Sequence, residues 1–164
     1  MTVTDQVPGA RKTGSVVPRR RTSFIGREVE VEGIVEHLGQ VPALTLLGVG
    51  GVGKTRLAYE AASRIEANGE VEVLVVELAT IFDDDAVDRV VADALDLPVT
   101  ADQAPADAVA NRLAGLSALL VLDNCEQIIE GAAALVDLLL DRCPLVTVLA
   151  TSRVPLGVEG EYAW

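Results

Sequence analysis

The chain has 164 residues, which suits one domain or one domain plus a tail. Half of the residues are apolar and only 3% are aromatic, so the chain as a whole is not disordered and its core must be built from Ala, Val, Leu and Ile. The net charge of −12 is uneven: residues 1–27 hold six basic side chains against Asp5, and the rest is strongly acidic, which argues against a duplex-DNA-binding face on the body of the chain.

Residues 1–22 contain Pro8, Gly9, Gly14, Pro18 and the run Arg19–Arg21, and read as a disordered basic leader ahead of a folded domain over 23–164. The spacing of Val31, Ile34, Val35 and Leu38 predicts a helix over 29–38, with Glu28, Glu30, Glu32 and Glu36 favouring its N-terminal half. His37 in this acidic helix has no partner in sequence and reads as a surface residue. Ala43–Leu47 is apolar but for Thr45, as a strand buried on both faces would be. A helix over 54–67 follows, stopped by Asn68-Gly69, and then a second strand over 71–78.

Val87, Val90, Val91, Ala94 and Leu95 share one face of a helix over 83–95, which Asp83, Asp84 and Asp85 cap. Thr100 and Gln103 have the spacing of a capping box for a helix reaching about Gly115. Ala118–Leu122 is an apolar strand ending at Asp123. A helix over 126–142 and a strand over 146–150 complete the alternation. Strand and helix in turn build a parallel sheet covered on both faces, with ligands beyond the carboxyl ends of its strands.

The residues of interest fall at those ends. Gly48-Val49-Gly50-Gly51-Val52-Gly53-Lys54-Thr55 matches the phosphate-binding pattern G-x-x-x-x-G-K-[ST] in full, after a strand and at the start of a helix. Glycines allow a curled backbone whose amides face phosphate oxygens, and the helix N-terminus adds positive potential. Lys54 would reach the β- and γ-phosphates, and the Thr55 hydroxyl would ligate Mg²⁺. Gly48, Gly50, Gly51, Val52, Gly53, Lys54, Thr55 and Arg56 are therefore the candidate nucleotide-binding residues.

Asp123, delivered by an apolar strand, is the candidate second group at Mg²⁺. Asn124 follows where many hydrolytic P-loop proteins carry a second acid. An amide can orient a water but cannot take its proton, so slow hydrolysis is expected. Glu126, two residues on, either substitutes for that acid or is a helix-start charge. Arg153, after the fourth strand, has the chemistry to sense a γ-phosphate. Cys125 and Cys143 show no metal-ligand spacing and imply a reducing compartment. No apolar run reaches the roughly 18 residues that a membrane helix needs.

Four stretches together carry a resemblance: Phe24-Ile25-Gly26-Arg27-Glu28-Val29-Glu30, Gly48–Thr55 with Arg56-Leu57-Ala58, Leu119–Glu126, and Ala150–Arg153 with Pro155-Leu156-Gly157. The set resembles the NB-ARC-like ATPase module of the STAND class of signal-transduction ATPases, as found in bacterial multidomain transcriptional regulators. The resemblance implies a three-layer α/β/α P-loop NTPase with a parallel sheet. It implies an adenine pocket of Phe24, Ile25, Gly26 and Arg27, Mg²⁺ assisted by Asp123, and Arg153 as first sensor. It also implies a cytoplasmic switch between an ADP-held closed state and an ATP-held, oligomerising one. Closure would need helical-bundle and winged-helix domains that the 164 residues do not include.

The family sheet has the P-loop strand between its fourth and fifth strands. With Glu161–Trp164 only the start of a fifth, the chain is expected to be C-terminally incomplete and to leave Ala43–Leu47 as an open edge. The resulting expectation is an ATP/ADP-binding regulatory module with slow or no hydrolysis, without direct DNA binding. The competing readings are a free-standing P-loop NTPase and a small-molecule kinase, which would need an acceptor site with extra arginines.

Overall fold

Strands form where the chain is apolar enough to be covered twice. A computed structural model describes Val17, Pro18 and residues 26–164. Phe24 and Ile25, and the rest of the leader expected over 1–22, lie outside the described residues. Val17 is buried with the apolar side chains that cover one face of the sheet.

The strands are β1 (Ala43–Leu47), β2 (Glu72–Glu77), β3 (Ala118–Asp123), β4 (Val146–Ser152) and β5 (Glu161–Ala163). They form one sheet in the order β2-β3-β4-β1-β5, and every pairing is parallel. The helices are α1 (Glu28–Leu38), α2 (Lys54–Asn68), α3 (Val87–Ala94), α4 (Pro105–Leu113) and α5 (Ile129–Arg142). Side chains of α1 and α2 pack on one sheet face, and those of α3, α4 and α5 on the other. This is a three-layer α/β/α sandwich. Among the described residues no helix is long and apolar enough to cross a membrane.

Strand parity decides what faces what. On β3, Leu119 and Val121 face α1 and α2, while Leu120 and Leu122 face the other layer. The same alternation continues to the strand ends. It turns Asp123 of β3 and Thr151 of β4 towards α2, the helix that follows the glycine-rich loop. Leu120 and Leu122 are fully buried at the sheet centre, where each such side chain contributes about 1.5–3 kcal/mol.

The expectation that β1 is an open edge is not met. Ala43, Leu44 and Thr45 pair with Glu161, Tyr162 and Ala163, and the ladder continues through Trp164 N to Thr45 O (2.9 Å) and Leu47 N to Trp164 O (2.8 Å). So short a strand is held at both ends. The Glu161 carboxylate accepts from Leu156 N at 2.9 Å and Gly157 N at 2.8 Å, and the Trp164 ring lies on α1 so close to Gly33 that a Cβ there would be 2.6 Å from it. His37 is likewise not a lone surface residue. Its Nδ1 is 2.7 Å from Gly33 O, and its ring packs on Tyr162 and Trp164, with centroids 4.6 and 5.2 Å away.

Three helix starts also differ from the sequence expectation. The helix predicted over 83–95 opens as a 3₁₀ turn, Asp84–Ala86, capped by Asp83 Oδ1 accepting from Asp85 N at 3.1 Å. Thr100 and Gln103 form no capping box. A backbone bond from Gln103 N to Thr100 O (3.2 Å) closes a separate turn, and α4 starts at Pro105 with Ala104 as its N-cap. The helix predicted from 126 is a 3₁₀ turn over Cys125–Gln127, broken from α5 at the non-helical Ile128 (φ −141°, ψ 45°). Ile128 is fully buried there, and packing overrides helical continuity.

Both cysteines are buried and free. Burial, with the neighbouring Asp123 and Glu126 charges, pushes the Cys125 thiol up to about 12, and burial also raises Cys143. Thiolate is the reactive form. At pH 8 the native chain should release essentially no thionitrobenzoate from Ellman's reagent, and two equivalents once unfolded in guanidinium. Rapid release from native protein would contradict this packing.

Candidate nucleotide site

The carboxyl ends of β1, β3 and β4 bring three sequence stretches to one rim. After β1 the chain curls through residues 48–53 into α2. Gly51 and Gly53 have φ of +83° and +89°, a region that costs an L side chain free energy, and Gly53 is the N-cap of α2. Lys54 opens the helix. Its ammonium donates to Gly48 O at 2.6 Å and Val49 O at 3.1 Å, spanning the loop it belongs to. Val49 and Val52 are exposed on the loop, and Arg56 lies within the first turn of α2.

Beneath the loop is a carboxylate held by three donors. Asp123 is 1% exposed. Its Oδ1 accepts from Thr55 Oγ1 at 2.8 Å and from Thr151 Oγ1 at 2.5 Å, and its Oδ2 accepts from Asn124 Nδ2 at 3.1 Å. Thr151 Oγ1 in turn accepts from Asn124 N at 2.9 Å. Asn124 makes this possible by adopting left-handed backbone angles, φ 65° and ψ 55°, which an asparagine tolerates better than most residues. The Thr55 hydroxyl and the Asp123 carboxylate are an all-oxygen pair, the donor chemistry that suits a hard cation such as Mg²⁺. Among the described residues no cluster of three or more His, Cys, Asp or Glu offers a dedicated metal cage. A cation here would therefore complete its shell with water or with oxygens of a bound ligand.

Two arginines flank the loop. Arg27 donates from Nη1 to Val52 O at 3.0 Å, while its Nε and Nη2 grip Glu30 at 2.5 and 2.8 Å. The paired hydrogen bonds raise the Arg27 pKa and lower that of Glu30. Gly26 N, just ahead, donates to the Glu28 carboxylate at 3.1 and 3.2 Å. On the other side, Arg153 Nη2 would lie 3.4 Å from a Cβ at Gly50, and its Nε is 3.5 Å from Glu126 Oε1.

The structure thus brings Gly26, Arg27, the loop, Asp123, Asn124 and Arg153 to one rim, with Phe24 and Ile25 outside the described residues. Sequence reading placed Thr151 at this rim without giving it a role, and missed Glu77. Glu77, paired in register with Asp123, accepts from the Tyr59 hydroxyl of α2 at 3.0 Å. Both were accessible from strand parity, since each is an odd-numbered polar residue at the end of an apolar strand whose odd positions face α2.

No protein-family model matches the chain. It is 36% identical over 146 residues to the uncharacterized protein Rv0894 of Mycobacterium tuberculosis, a match covering 89% of this chain and 37% of that protein. It is 42% identical over 127 residues to Rv0890c of the same organism, provisionally named an HTH-type transcriptional regulator, covering 77% of this chain and 14% of the relative. The chain therefore spans little more than a third of the first relative and a seventh of the second.

Among solved structures, Cdc6p from Pyrobaculum aerophilum superposes with a TM-score of 0.64 at 17% identity, over 91% of this chain and 47% of that one. The ORC2 protein of Aeropyrum pernix, solved as ADPNP–ADP complexes, gives 0.57 at 14% identity, over 79% and 41%. The STAND protein PH0952 of Pyrococcus horikoshii, which has a tetratricopeptide-repeat sensor, gives 0.57 at 19% identity, over 89% and 23%. Likeness at these identities shows fold alone. With the parallel five-stranded sheet described above, it establishes that this chain has the P-loop NTPase fold of the Cdc6/ORC proteins.

Proposed function

We propose that this chain is the ATP/ADP-binding switch module of a longer cytoplasmic signal-transduction ATPase that regulates transcription, and that its own hydrolysis is slow. The observation that carries this reading is the convergence on Asp123. One buried carboxylate oxygen joins Thr55, next to the loop lysine, to Thr151 of the neighbouring strand. Such a link lets the state of the phosphate site be felt at β4, which a mere phosphate-binding loop would not need. Thr55 and Asp123 would hold Mg²⁺, which when bound neutralises charge on the β- and γ-phosphates. Lys54 would turn from its own loop carbonyls to those phosphates. Gly26 and Arg27, with Phe24 and Ile25, would bound the adenine.

The relation to Rv0890c supports the transcriptional setting, and the ADPNP–ADP complexes of the Aeropyrum protein support adenine nucleotide as ligand. In this reading the helical and winged-helix domains, and any nucleotide-dependent self-association, belong to the longer parent protein.

Thermal unfolding tests the proposal. With Mg·ADP or Mg·ATP at about 100 times Kd the folded state should gain about 2.7 kcal/mol. Mg·GTP should give little, and Lys54→Ala should abolish the gain. Equal stabilisation by GTP, or none by any nucleotide, would overturn it. Steady turnover that depends on an added acceptor metabolite would point to a kinase instead.

A further inference from the structure

Asn124 leaves the site without a carboxylate at the position directly after Asp123, and the asparagine is already committed. Its side chain is bonded to Asp123 Oδ2 and its amide N–H to Thr151. The next acid is Glu126, in the 3₁₀ turn that the left-handed Asn124 starts. Its side chain is 14% exposed, against 59% for Arg153 beside it.

The two oxygens of Glu126 differ in their surroundings. Oε1 faces Arg153 Nε at 3.5 Å. Oε2 is buried without a hydrogen-bond partner, a condition it shares among the described residues with Thr45 Oγ1. A buried carboxylate oxygen left unpaired is costly, and its presence calls for a partner. The far end of the same Arg153 reaches the phosphate loop at Gly50. One guanidinium therefore spans from the Glu126 carboxylate to the place where a terminal phosphate would sit.

We infer that Glu126 is the general base for hydrolysis of the bound nucleoside triphosphate, displaced two residues from the usual second acid and held at the phosphate by Arg153. This rests on the nucleotide-binding reading above. Oε2 is closed to solvent in this state, so its partner would be the attacking water once the nucleotide-bound site opens to admit one. As the water oxygen bonds to the γ-phosphorus, the bond from that phosphorus to the β–γ bridging oxygen breaks. The electron pair leaves with ADP, inorganic phosphate forms, and the water proton passes to Glu126. A base whose charge partner is one exposed arginine fits the slow turnover proposed above.

The experiment measures ADP affinity by titration calorimetry and phosphate release under Mg·ATP, on the 164-residue chain, for wild type, Glu126→Gln and Lys54→Ala. The expected result is wild-type turnover above the Lys54→Ala background. Glu126→Gln should lower turnover about 100-fold, with its Kd for Mg·ADP within about threefold of wild type and a cooperative melt. A fall in turnover of less than tenfold overturns the inference, and so does a wild type that binds ADP but releases no phosphate above background. If wild type binds no nucleotide at all, the proposed function itself fails. Should Glu126→Gln not fold, Glu126→Asp serves, because shortening the side chain should cost at least tenfold in turnover at unchanged ADP affinity.

Discussion

Asp123→Ala should lower folding stability by about 3 kcal/mol in urea, even with no nucleotide present. The side chain is 1% exposed and is the acceptor for Thr55, Thr151 and Asn124. Thr151 is fully buried, so its hydroxyl proton would be left without an acceptor, at about 1–3 kcal/mol. Thr55 and Asn124 are partly exposed and can turn to water, so each forfeits about 1.5 kcal/mol, the low end for a bond to a charged group, while removing the buried carboxylate returns part of its desolvation cost and brings the net loss to about 3 kcal/mol. At roughly 2–4 °C per kcal/mol for a chain of this size, the melting temperature should drop by about 6–12 °C.

Asp123→Asn keeps an acceptor and should cost about 1 kcal/mol or less, yet it should still remove the Mg²⁺-dependent part of nucleotide stabilisation. If Asp123→Ala were more stable than wild type, the buried charge would be a net liability and the hydrogen-bond reading would be wrong.

A second large effect is expected at Gly131, in the first turn of α5. Its N–H donates to Asp84 Oδ1 at 2.6 Å. A Cβ there would run into the Asp84 backbone carbonyl and lie 2.8 Å from Val87 Cγ2. The obstacle is main chain of the 3₁₀ turn before α3, so α5 and that turn would have to separate. Overpacking of this kind costs about 1–3 kcal/mol. Gly131→Ala recovers about 1 kcal/mol of helix propensity and should lose about 1 kcal/mol net. Gly131→Val adds bulk, recovers less propensity, and should lose about 3 kcal/mol. The ranking in urea midpoints is the check, and a Gly131→Val chain as stable as wild type would mean the two elements are not in close contact.

The strands were legible because a strand buried on both faces must be a nearly continuous apolar run, and Ala43–Leu47, Ala118–Leu122 and Val146–Ala150 are apolar but for Thr45 and Thr147. The parallel arrangement followed from the alternation of strands with amphipathic helices. What the sequence concealed depends on residues distant in the chain. The resemblance put the start of a fifth strand at Glu161–Trp164, but nothing near Ala43 announces that three residues suffice to close its free edge, because that pairing relies on Glu161 binding the backbone of its own loop and on Trp164 lying on Gly33. The same contact gives His37 its aromatic partners.

The capping spacing at Thr100 and Gln103 misled because a local turn satisfies those backbone groups first. At the site, the glycine-rich loop and Asp123 stood out by pattern. Thr151 was placed at a strand end but given no role, because a threonine ending a strand carries no pattern of its own. Its role appears only when β4 is laid beside β3 and the hydroxyl meets Asp123.

The strand order has a further consequence for how the polypeptide is made. β1 sits between β4 and β5, so neither neighbour of this early segment exists until roughly a hundred more residues have been synthesised. At about 5–20 residues per second, the ribosome needs about 5–20 s to supply them. Throughout that interval the emerging chain carries a sticky stretch with no strand to pair with, whereas β2 and β3 can meet before β4 is made. Assembly in the cell should therefore begin at the opposite margin of the sheet and reach the glycine-rich turn last, making that turn the final part of the molecule to become competent.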